Sequence, residues 1–132
     1  MTRTYSYSEE ELQLRSAVYT ILLNKFGGLR KENGEPYYRV DSPEAHDILH
    51  ADPDNSVVID IRRDDEWDTG HVTDALHIPV DDLLDRTDEI PTDKKIFFIC
   101  AAGVRSGLAC EMAASIGFDS EMLYNIEDGT PA

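Results

Sequence analysis

The sequence Ile-Phe-Phe-Ile-Cys-Ala-Ala-Gly-Val-Arg-Ser-Gly at residues 96–107 decides the fold class of this chain. Its first four residues are β-branched or aromatic, which is typical of a buried strand. The small residues and the glycine that follow predict a tight loop, and we expect a helix from Ser106 to about Ile116. Cys100 therefore lies where a strand ends and a helix is about to begin.

This position favours a reactive cysteine. In α/β sheets, ligands bind in the crevice at the carboxyl ends of the strands. The backbone N–H groups of a short loop can form an anion-binding nest, and the start of the next helix adds partial positive charge. Arg105 can contribute a full charge. All of these effects favour the thiolate of Cys100, which is the nucleophilic form.

The rest of the chain predicts an α/β domain built on a mainly parallel sheet of four or five strands, with helices on both faces. Apolar, β-branched or aromatic residues predict strands at residues 37–40, 57–61, 94–99 and 122–124. A helix is expected to begin with Ser42 as N-cap and Pro43 at the first helical position. The apolar positions of the helix after the loop are expected to be Leu108, Cys110, Met112, Ala113 and Ile116, and we expect Cys110 to be a small core residue.

Composition limits the function classes. The chain has 132 residues, enough for one domain, and 27 acidic against 12 basic residues, a net charge of −15. This charge argues against nucleic acid and anionic membranes as partners. It fits salt adaptation, a basic protein partner or plain solubility. No apolar run is long enough to span a membrane, and two cysteines without a spaced framework suit a reducing compartment, so we expect a cytoplasmic protein.

We expect two parts, an N-terminal helical extension at residues 1–36 and the main domain at residues 37–132. Ser8 and Glu11 form a capping-box pattern that predicts a helix up to about Phe26. Its apolar residues recur at helical spacing. The helix is therefore expected to pack on the domain or to form a dimer surface, so that the protein is a monomer or a dimer through this helix.

Four sequence motifs carry a family resemblance. Cys-Ala-Ala-Gly-Val-Arg-Ser at residues 100–106 resembles the active-site loop of a single-domain rhodanese. The strand at residues 57–62, the Glu-Trp-Asp-Thr-Gly-His-Val turn at 66–72 and the Ala-Leu-His-Ile-Pro segment at 75–79 match that family in the same order. Asp74 and Asp128 stand where the family usually has glycine, and Asp tolerates the left-handed conformation better than most residues.

The resemblance implies a rhodanese-like fold and a sulfurtransferase. Such an enzyme moves a sulfane sulfur from a thiosulfate-like or persulfide donor, through a persulfide on Cys100, to a thiol or cyanide acceptor. The implied partners are a small anionic sulfur donor and a thiol acceptor, which includes a protein sulfur carrier. No metal or organic cofactor is implied. The residues implied to form the loop that binds the substrate are Ala101, Ala102, Gly103, Val104, Arg105 and Ser106.

Four further residues are implied to support this loop. Asp60, Arg62 and Glu66 match family residues that brace the active site, and Arg62 and Glu66 have the spacing of an i,i+4 ion pair. His71 is a conceivable base beside a reactive cysteine, but the equivalent family residue is structural and turned away from the sulfur.

The residues of the loop have different expected roles, and that of Arg105 is open. Arg105 either orients an anionic donor or pairs with a nearby carboxylate. Ser106 is expected to cap the following helix, while Gly103 permits the tight turn. Ala101 supplies no second cation, which argues against thiosulfate as the natural donor.

Two other functions stay open. One is a phosphatase or arsenate reductase: related cell-cycle phosphatases share the fold that the resemblance implies, but their loop has five residues between the cysteine and the arginine. Here there are four, residues 101–104, so the pocket is expected to suit a sulfur atom better than a phosphate. The other alternative is a non-catalytic rhodanese-like module that binds a partner, and the intact Cys100 argues against it.

Overall fold

The computed structural model of the protein describes residues 31–32 and 34–129. The predicted helix from Ser8 to about Phe26 and the dimer surface expected of it lie outside the described residues, as does most of the predicted N-terminal extension at residues 1–36. Within residues 34–129, none of the helices is long and apolar enough to cross a membrane.

The described elements alternate between strands and helices along the chain. The five strands are β1 (Tyr38–Val40), β2 (Ser56–Asp60), β3 (Leu76–His77), β4 (Lys95–Ile99) and β5 (Leu123–Ile126). The three α-helices are α1 (Ser42–Ala51), α2 (Asp64–Asp68) and α3 (Val104–Ser115). Short 3-10 helices occupy Pro53–Asn55, Val80–Asp85, Thr87–Glu89 and Ser120–Met122.

These strands form one sheet in the order β1-β5-β4-β2-β3, and every neighbouring pair is parallel. Strand β4 lies at the centre, where Phe98 is paired with Ile59 of β2 on one side and with Asn125 of β5 on the other. Because all strands are parallel, their carboxyl ends meet at one edge of the sheet. The predicted α/β fold with a parallel sheet of four or five strands is confirmed.

Side chains alternate between the two faces of β4, as the two-residue period of a strand requires. Ile96, Phe98 and Cys100 belong to one core layer, and Phe97 and Ile99 belong to the other. Helix α3 supplies Ala109, Cys110 and Ala113 to the first layer, and helix α1 supplies Ala45 and Ile48 to the second. Helices therefore cover both faces, and Cys100 lies on the α3 side.

Two predicted helix starts are wrong. Helix α1 has Asp41 as its N-cap, with a carboxylate that accepts the Glu44 N–H at 2.8 Å, and Ser42 instead donates to Asp128. Helix α3 begins at Val104, and Gly103 is its N-cap without a side-chain bond. In both cases the serine predicted as the cap forms its side-chain hydrogen bond with a residue outside the helix.

The apolar residues of α3 do not all face the core. Leu108 and Ile116 are exposed, whereas Ala109 and Cys110 are fully buried. The helix therefore approaches the sheet through small side chains, and its larger aliphatic residues face solvent.

Candidate active site

Cys100 directly follows β4 at the carboxyl edge of the sheet, and only 1% of its surface is exposed. The Gly103 N–H donates to its Sγ at 3.0 Å. The Ser106 Oγ lies 3.3 Å from the same sulfur. The loop at residues 100–106 thus wraps around the sulfur and presents polar hydrogens to it.

Burial raises the pKa of the Cys100 thiol, but hydrogen bonds outweigh burial. The Ser106 hydroxyl lowers this pKa most, followed by the backbone N–H groups of Ser106, Ala102 and Gly103. The net result is a thiol pKa below its ordinary value. Since the thiolate is the form that attacks sulfur and carbon electrophiles, this geometry increases the nucleophilicity of Cys100 at neutral pH.

Position 103 requires glycine, because of its backbone conformation and because of the atoms packed against it. Its φ is +83°, in the left-handed region, and a Cβ atom at this position would lie 2.2 Å from the Glu127 carbonyl oxygen. The closing turn of the domain packs on the loop a second time at Gly129, where a Cβ would lie 2.1 Å from the Ala101 carbonyl oxygen. The predicted role of Gly103 in the tight turn is confirmed, and the closing turn is the surface that fixes the loop.

Asp74 and Asp128, which stand where the family usually has glycine, differ in backbone conformation and contacts. Asp74 has a φ of +64°, so it does adopt the left-handed conformation. Asp128 instead uses its carboxylate to accept the Ser42 N–H and hydroxyl, both at 2.8 Å. This contact joins the closing turn to the start of α1.

Arg105 pairs with a carboxylate, which was one of its two predicted alternatives. Its Nη1 and Nη2 donate to the two Glu66 oxygens at 2.6 and 2.8 Å. This hydrogen bond is the main reason why the pKa of Glu66 is lowered to about 2, so the pair is ionised at neutral pH. The only cation within residues 100–106 is therefore already neutralised by a neighbouring charge.

The predicted ion pair between Arg62 and Glu66 is wrong. Arg62 precedes helix α2, so its spacing from Glu66 is not helical. Its guanidinium instead donates to both Asp60 carboxylate oxygens at 2.8–3.0 Å and to the Gly70 carbonyl oxygen at 2.8 Å. Asp60 and Arg62 are both buried, and together they tie the end of β2 to the turn after α2.

His71 is directed at Trp67. The two rings stack with centroids 3.4 Å apart, and the His71 Nδ1 lies 3.1 Å from the Trp67 carbonyl oxygen. Among the described residues, His71 contacts Trp67, while the Cys100 sulfur contacts Gly103 and Ser106. His77, which the sequence did not single out, stacks on the same Trp67 ring and places its Nε2 2.8 Å from the Arg62 carbonyl oxygen.

Cys110 lies on α3 in the same core layer as Cys100 but is fully buried. Burial raises the pKa of this thiol well above its ordinary value. It is therefore a small apolar core residue, as expected, and both cysteines are free.

A cleft of about 540 Å³ adjoins the loop at residues 102–104. Its lining carries four carboxylates and one guanidinium, from Glu35, Glu111, Glu127, Asp128 and Arg39. Arg39 pairs with Glu35 through two hydrogen bonds of 2.7 and 2.8 Å. The surface beside the loop is therefore net acidic, which opposes the approach of anions.

Asn125 is the site residue that the sequence analysis missed. It is 3% exposed on β5, and its side chain bonds both Gly103 and Ser106. A signal was present, since Asn125 is an amide within the apolar strand Leu123–Ile126. The face of the sheet to which the Asn125 side chain points, and its contact with the loop, could not be predicted because they depend on the pairing of β5 with β4.

Comparison with known proteins identifies the family. The model of the rhodanese-like domain family matches residues 42–132, which is more than half of the chain. A crystal structure of a rhodanese-like domain protein from Staphylococcus aureus, 25% identical, superposes with a TM-score of 0.62 over 69% of this chain and 85% of that one.

Two curated relatives come from Bacillus subtilis. The uncharacterized protein YqhL is 36% identical over 72 residues, which cover 54% of this chain and 56% of that protein. The putative sulfurtransferase YtwF is 33% identical over 75 residues, which cover 57% of this chain and 70% of that protein. The match thus spans little more than half of YqhL. With the α/β sheet and the cysteine loop at its carboxyl edge, these matches show that the chain belongs to the rhodanese-like domain family.

Proposed function

We propose that this protein is a sulfurtransferase that carries a sulfane sulfur on Cys100. The observation that carries the proposal is the set of hydrogen-bond donors around the Cys100 sulfur, namely the Ser106 hydroxyl and the loop N–H groups, which lower the thiol pKa despite burial. Relatives about one third identical that are named sulfurtransferases add support.

The reaction proceeds in two displacements. The Cys100 thiolate attacks the outer sulfur of the donor, the donor S–S bond breaks, and the donor remainder leaves with the electron pair, as sulfite or as a thiolate. An acceptor thiolate or cyanide then attacks the outer sulfur of the Cys100 persulfide, and the Cys100 thiolate leaves. Because negative charge returns to the same small volume in each step, fixed loop N–H groups stabilise both transition states.

The loop favours a persulfide donor over thiosulfate. Thiosulfate carries two negative charges, and a free cation is the usual partner for its sulfonate group. Arg105 is held by Glu66 through two short hydrogen bonds, and the adjacent cleft is net acidic. We therefore propose that the physiological donor carries less charge near the transferred sulfur than thiosulfate does.

The proposed acceptor is a thiol, and a protein thiol is one form it can take. A Bacillus subtilis relative, 31% identical over 69 residues, is named a putative sulfur carrier protein, which supports transfer between proteins. Two free cysteines and a thiolate mechanism suit a reducing compartment such as the cytoplasm.

Intact-mass analysis tests this function. Wild-type protein is treated with thiosulfate, inorganic polysulfide or cysteine persulfide, desalted and weighed, and then treated with cyanide or a reducing thiol. The expected result is the mass of one added sulfur atom, located on Cys100 by peptide mapping and removed by the acceptor. The Cys110→Ala variant is the matched control and should load equally.

Two other outcomes would overturn the proposal. Hydrolysis of an aryl phosphate without sulfur uptake would make the protein a phosphatase. Absence of both reactions would leave a rhodanese-like module that binds a partner.

A further inference from the structure

Asn125 contacts two of the groups that bond the Cys100 sulfur. Its Nδ2 donates to the Gly103 carbonyl oxygen at 3.1 Å, and its Oδ1 accepts from the Ser106 hydroxyl at 2.5 Å. The N–H of Gly103 and the hydroxyl of Ser106 are in turn the groups at 3.0 and 3.3 Å from the sulfur. One side chain on the neighbouring strand thus holds both donors.

The orientation of the Asn125 amide follows from these contacts. A carbonyl oxygen only accepts hydrogen bonds, so the Gly103 carbonyl requires the amide nitrogen, and the amide oxygen must face Ser106. The amide is also confined from the helix side. A Cβ at Gly107 would lie 3.3 Å from the Asn125 Nδ2, which shows how closely α3 packs on this side chain.

The Ser106 hydroxyl has one proton and two possible acceptors for it, the Cys100 sulfur and the Asn125 oxygen. When Cys100 is a thiol, the S–H can donate to the Ser106 oxygen, and the hydroxyl donates to Asn125. When Cys100 is a thiolate, the sulfur has no proton to give, and both the sulfur and the Asn125 oxygen require the hydroxyl proton. The position of this proton therefore changes with the charge on the sulfur.

We propose that Asn125 is a positioning residue for sulfur transfer, which rests on the function proposed above. It anchors the Gly103 carbonyl, which limits rotation of the residue whose N–H bonds the sulfur, and it offers the Ser106 hydroxyl a second acceptor. The hydroxyl turns to the sulfur while Cys100 is a thiolate. It turns back to Asn125 when the persulfide forms and the negative charge moves to the outer sulfur.

The pH dependence of Cys100 alkylation by iodoacetamide, measured on wild type, Asn125→Ala and Asn125→Asp, tests this role. Asn125→Asp keeps an oxygen that accepts the Ser106 hydrogen bond. It replaces the amide nitrogen with an oxygen that cannot donate to the Gly103 carbonyl, and it adds negative charge. Asn125→Asp should raise the apparent pKa of Cys100 by about one unit, so that alkylation at a pH below the wild-type midpoint slows by about tenfold. Asn125→Ala loses the anchor of Gly103 but also removes the acceptor that competes with the thiolate for the Ser106 proton, so its pKa should rise by less. The kcat for sulfur loading should fall similarly, while KM changes little.

The matched control is Tyr124→Leu. Tyr124 is the preceding residue of β5, but it is buried in the opposite core layer beside Phe97. Its replacement should lower stability and leave the alkylation profile of Cys100 unchanged. If Tyr124→Leu shifts that profile as much as the Asn125 variants do, general loosening of the strand explains the effect and the proposal is wrong.

A double variant separates positioning from packing. If Asn125 acts through Ser106, the pKa shift in Ser106→Ala/Asn125→Ala differs from the sum of the two single shifts. Unchanged profiles in folded Asn125 variants would overturn the proposal, as would failure of every Asn125 variant to fold. Alkylation requires no sulfur donor, so failure of wild type to take up sulfur would refute the proposed function separately.

Discussion

Cys100, directly after β4, and Cys110, within α3, lie in the same core layer and are almost equally buried, with 1% and 0% of their surface exposed. Burial raises the pKa of both thiols. For Cys110 burial is the main influence, and its pKa lies well above the ordinary value. For Cys100 the Ser106 hydroxyl and three backbone N–H groups reverse the effect.

The difference teaches that the pKa of each thiol here depends on hydrogen-bond donors and not on exposure. A buried thiolate is tolerated only where the backbone and a hydroxyl replace the water that it has lost. The loop provides those donors because Gly103 adopts a left-handed conformation and packs on Glu127. Helix α3 cannot provide them at Cys110, because its N–H groups already bond within the helix.

The largest expected effect is the loss of the reactive sulfur itself. Cys100→Ser should reduce sulfur uptake by at least about three orders of magnitude, since the replacement hydroxyl is not ionised at neutral pH. Cys110→Ser should take up sulfur at nearly the wild-type rate, although it places a hydroxyl in the core. Loss of uptake in both variants would mean that the two cysteines cooperate.

Gly103→Ala should be the most destabilising change in the loop. Alanine at a φ of +83° is strained, at about 1–3 kcal/mol, and its Cβ collides with the Glu127 carbonyl, which adds about 1–3 kcal/mol. Gly117→Ala is the control, because Gly117 has a φ of +107° and no atom within 4 Å of an added Cβ. Urea denaturation should show a clearly larger loss at Gly103. Equal losses would mean that the closing turn does not hold the loop.

Ser106→Ala should make Cys100 more like Cys110. A hydrogen bond to a charged group contributes about 1.5–3 kcal/mol, so the Cys100 pKa should rise by at least about one unit, and alkylation at a pH below the wild-type midpoint should slow by about tenfold. The control is Ser115→Ala at the far end of α3, where the hydroxyl bonds the Met112 carbonyl. An unchanged profile in Ser106→Ala would assign the lowered pKa to the backbone alone.

Glu66→Gln should have a smaller effect, confined to anionic donors. The variant releases the Arg105 charge, so the KM for thiosulfate should fall severalfold, while that for a neutral donor stays constant. Glu89→Gln is the control, because Glu89 forms an equivalent pair with Arg86 on the surface. An unchanged KM for thiosulfate in Glu66→Gln would show that Arg105 does not reach the donor.

The same pair has a defined pH dependence. The pKa of Glu66 is lowered from 4.5 to about 2, so its contribution to stability is complete above about pH 4.5 and is lost as the pH falls toward 2. The stability difference between wild type and Glu66→Gln should therefore be constant above about pH 4.5 and should shrink as the pH falls from 4.5 toward 2. A difference that keeps its full size down to pH 2 would contradict the lowered pKa.

The sequence predicted the features that depend on local pattern. The apolar run at residues 96–99 identified the central strand, and the residues after it placed Cys100 at the carboxyl edge of the sheet. Gly103 was identified from its conformational preference, and Asp74 from the glycine that the family usually has at that position; both adopt the left-handed backbone.

The predictions that were wrong concern residues whose partners lie on distant segments of the chain. Ser106 was expected to cap a helix but faces the sulfur and Asn125, which β5 brings to the loop. Glu66 was expected to pair with Arg62 at helical spacing, yet helix α2 begins after Arg62, and the Glu66 partner is Arg105 on another element. Such pairings follow from strand order, which no local pattern specifies.

The pH dependence of alkylation of the two cysteines in one wild-type sample tests the central claim most directly. The rate at each thiol is measured by peptide mapping after brief exposure to iodoacetamide between pH 4 and pH 10. The account predicts that Cys100 reacts with an inflection below the pKa of a free thiol, about 8.5, while Cys110 stays unmodified until the protein unfolds. An inflection for Cys100 at or above the free-thiol value, or equal labelling of both cysteines in the folded protein, would contradict it.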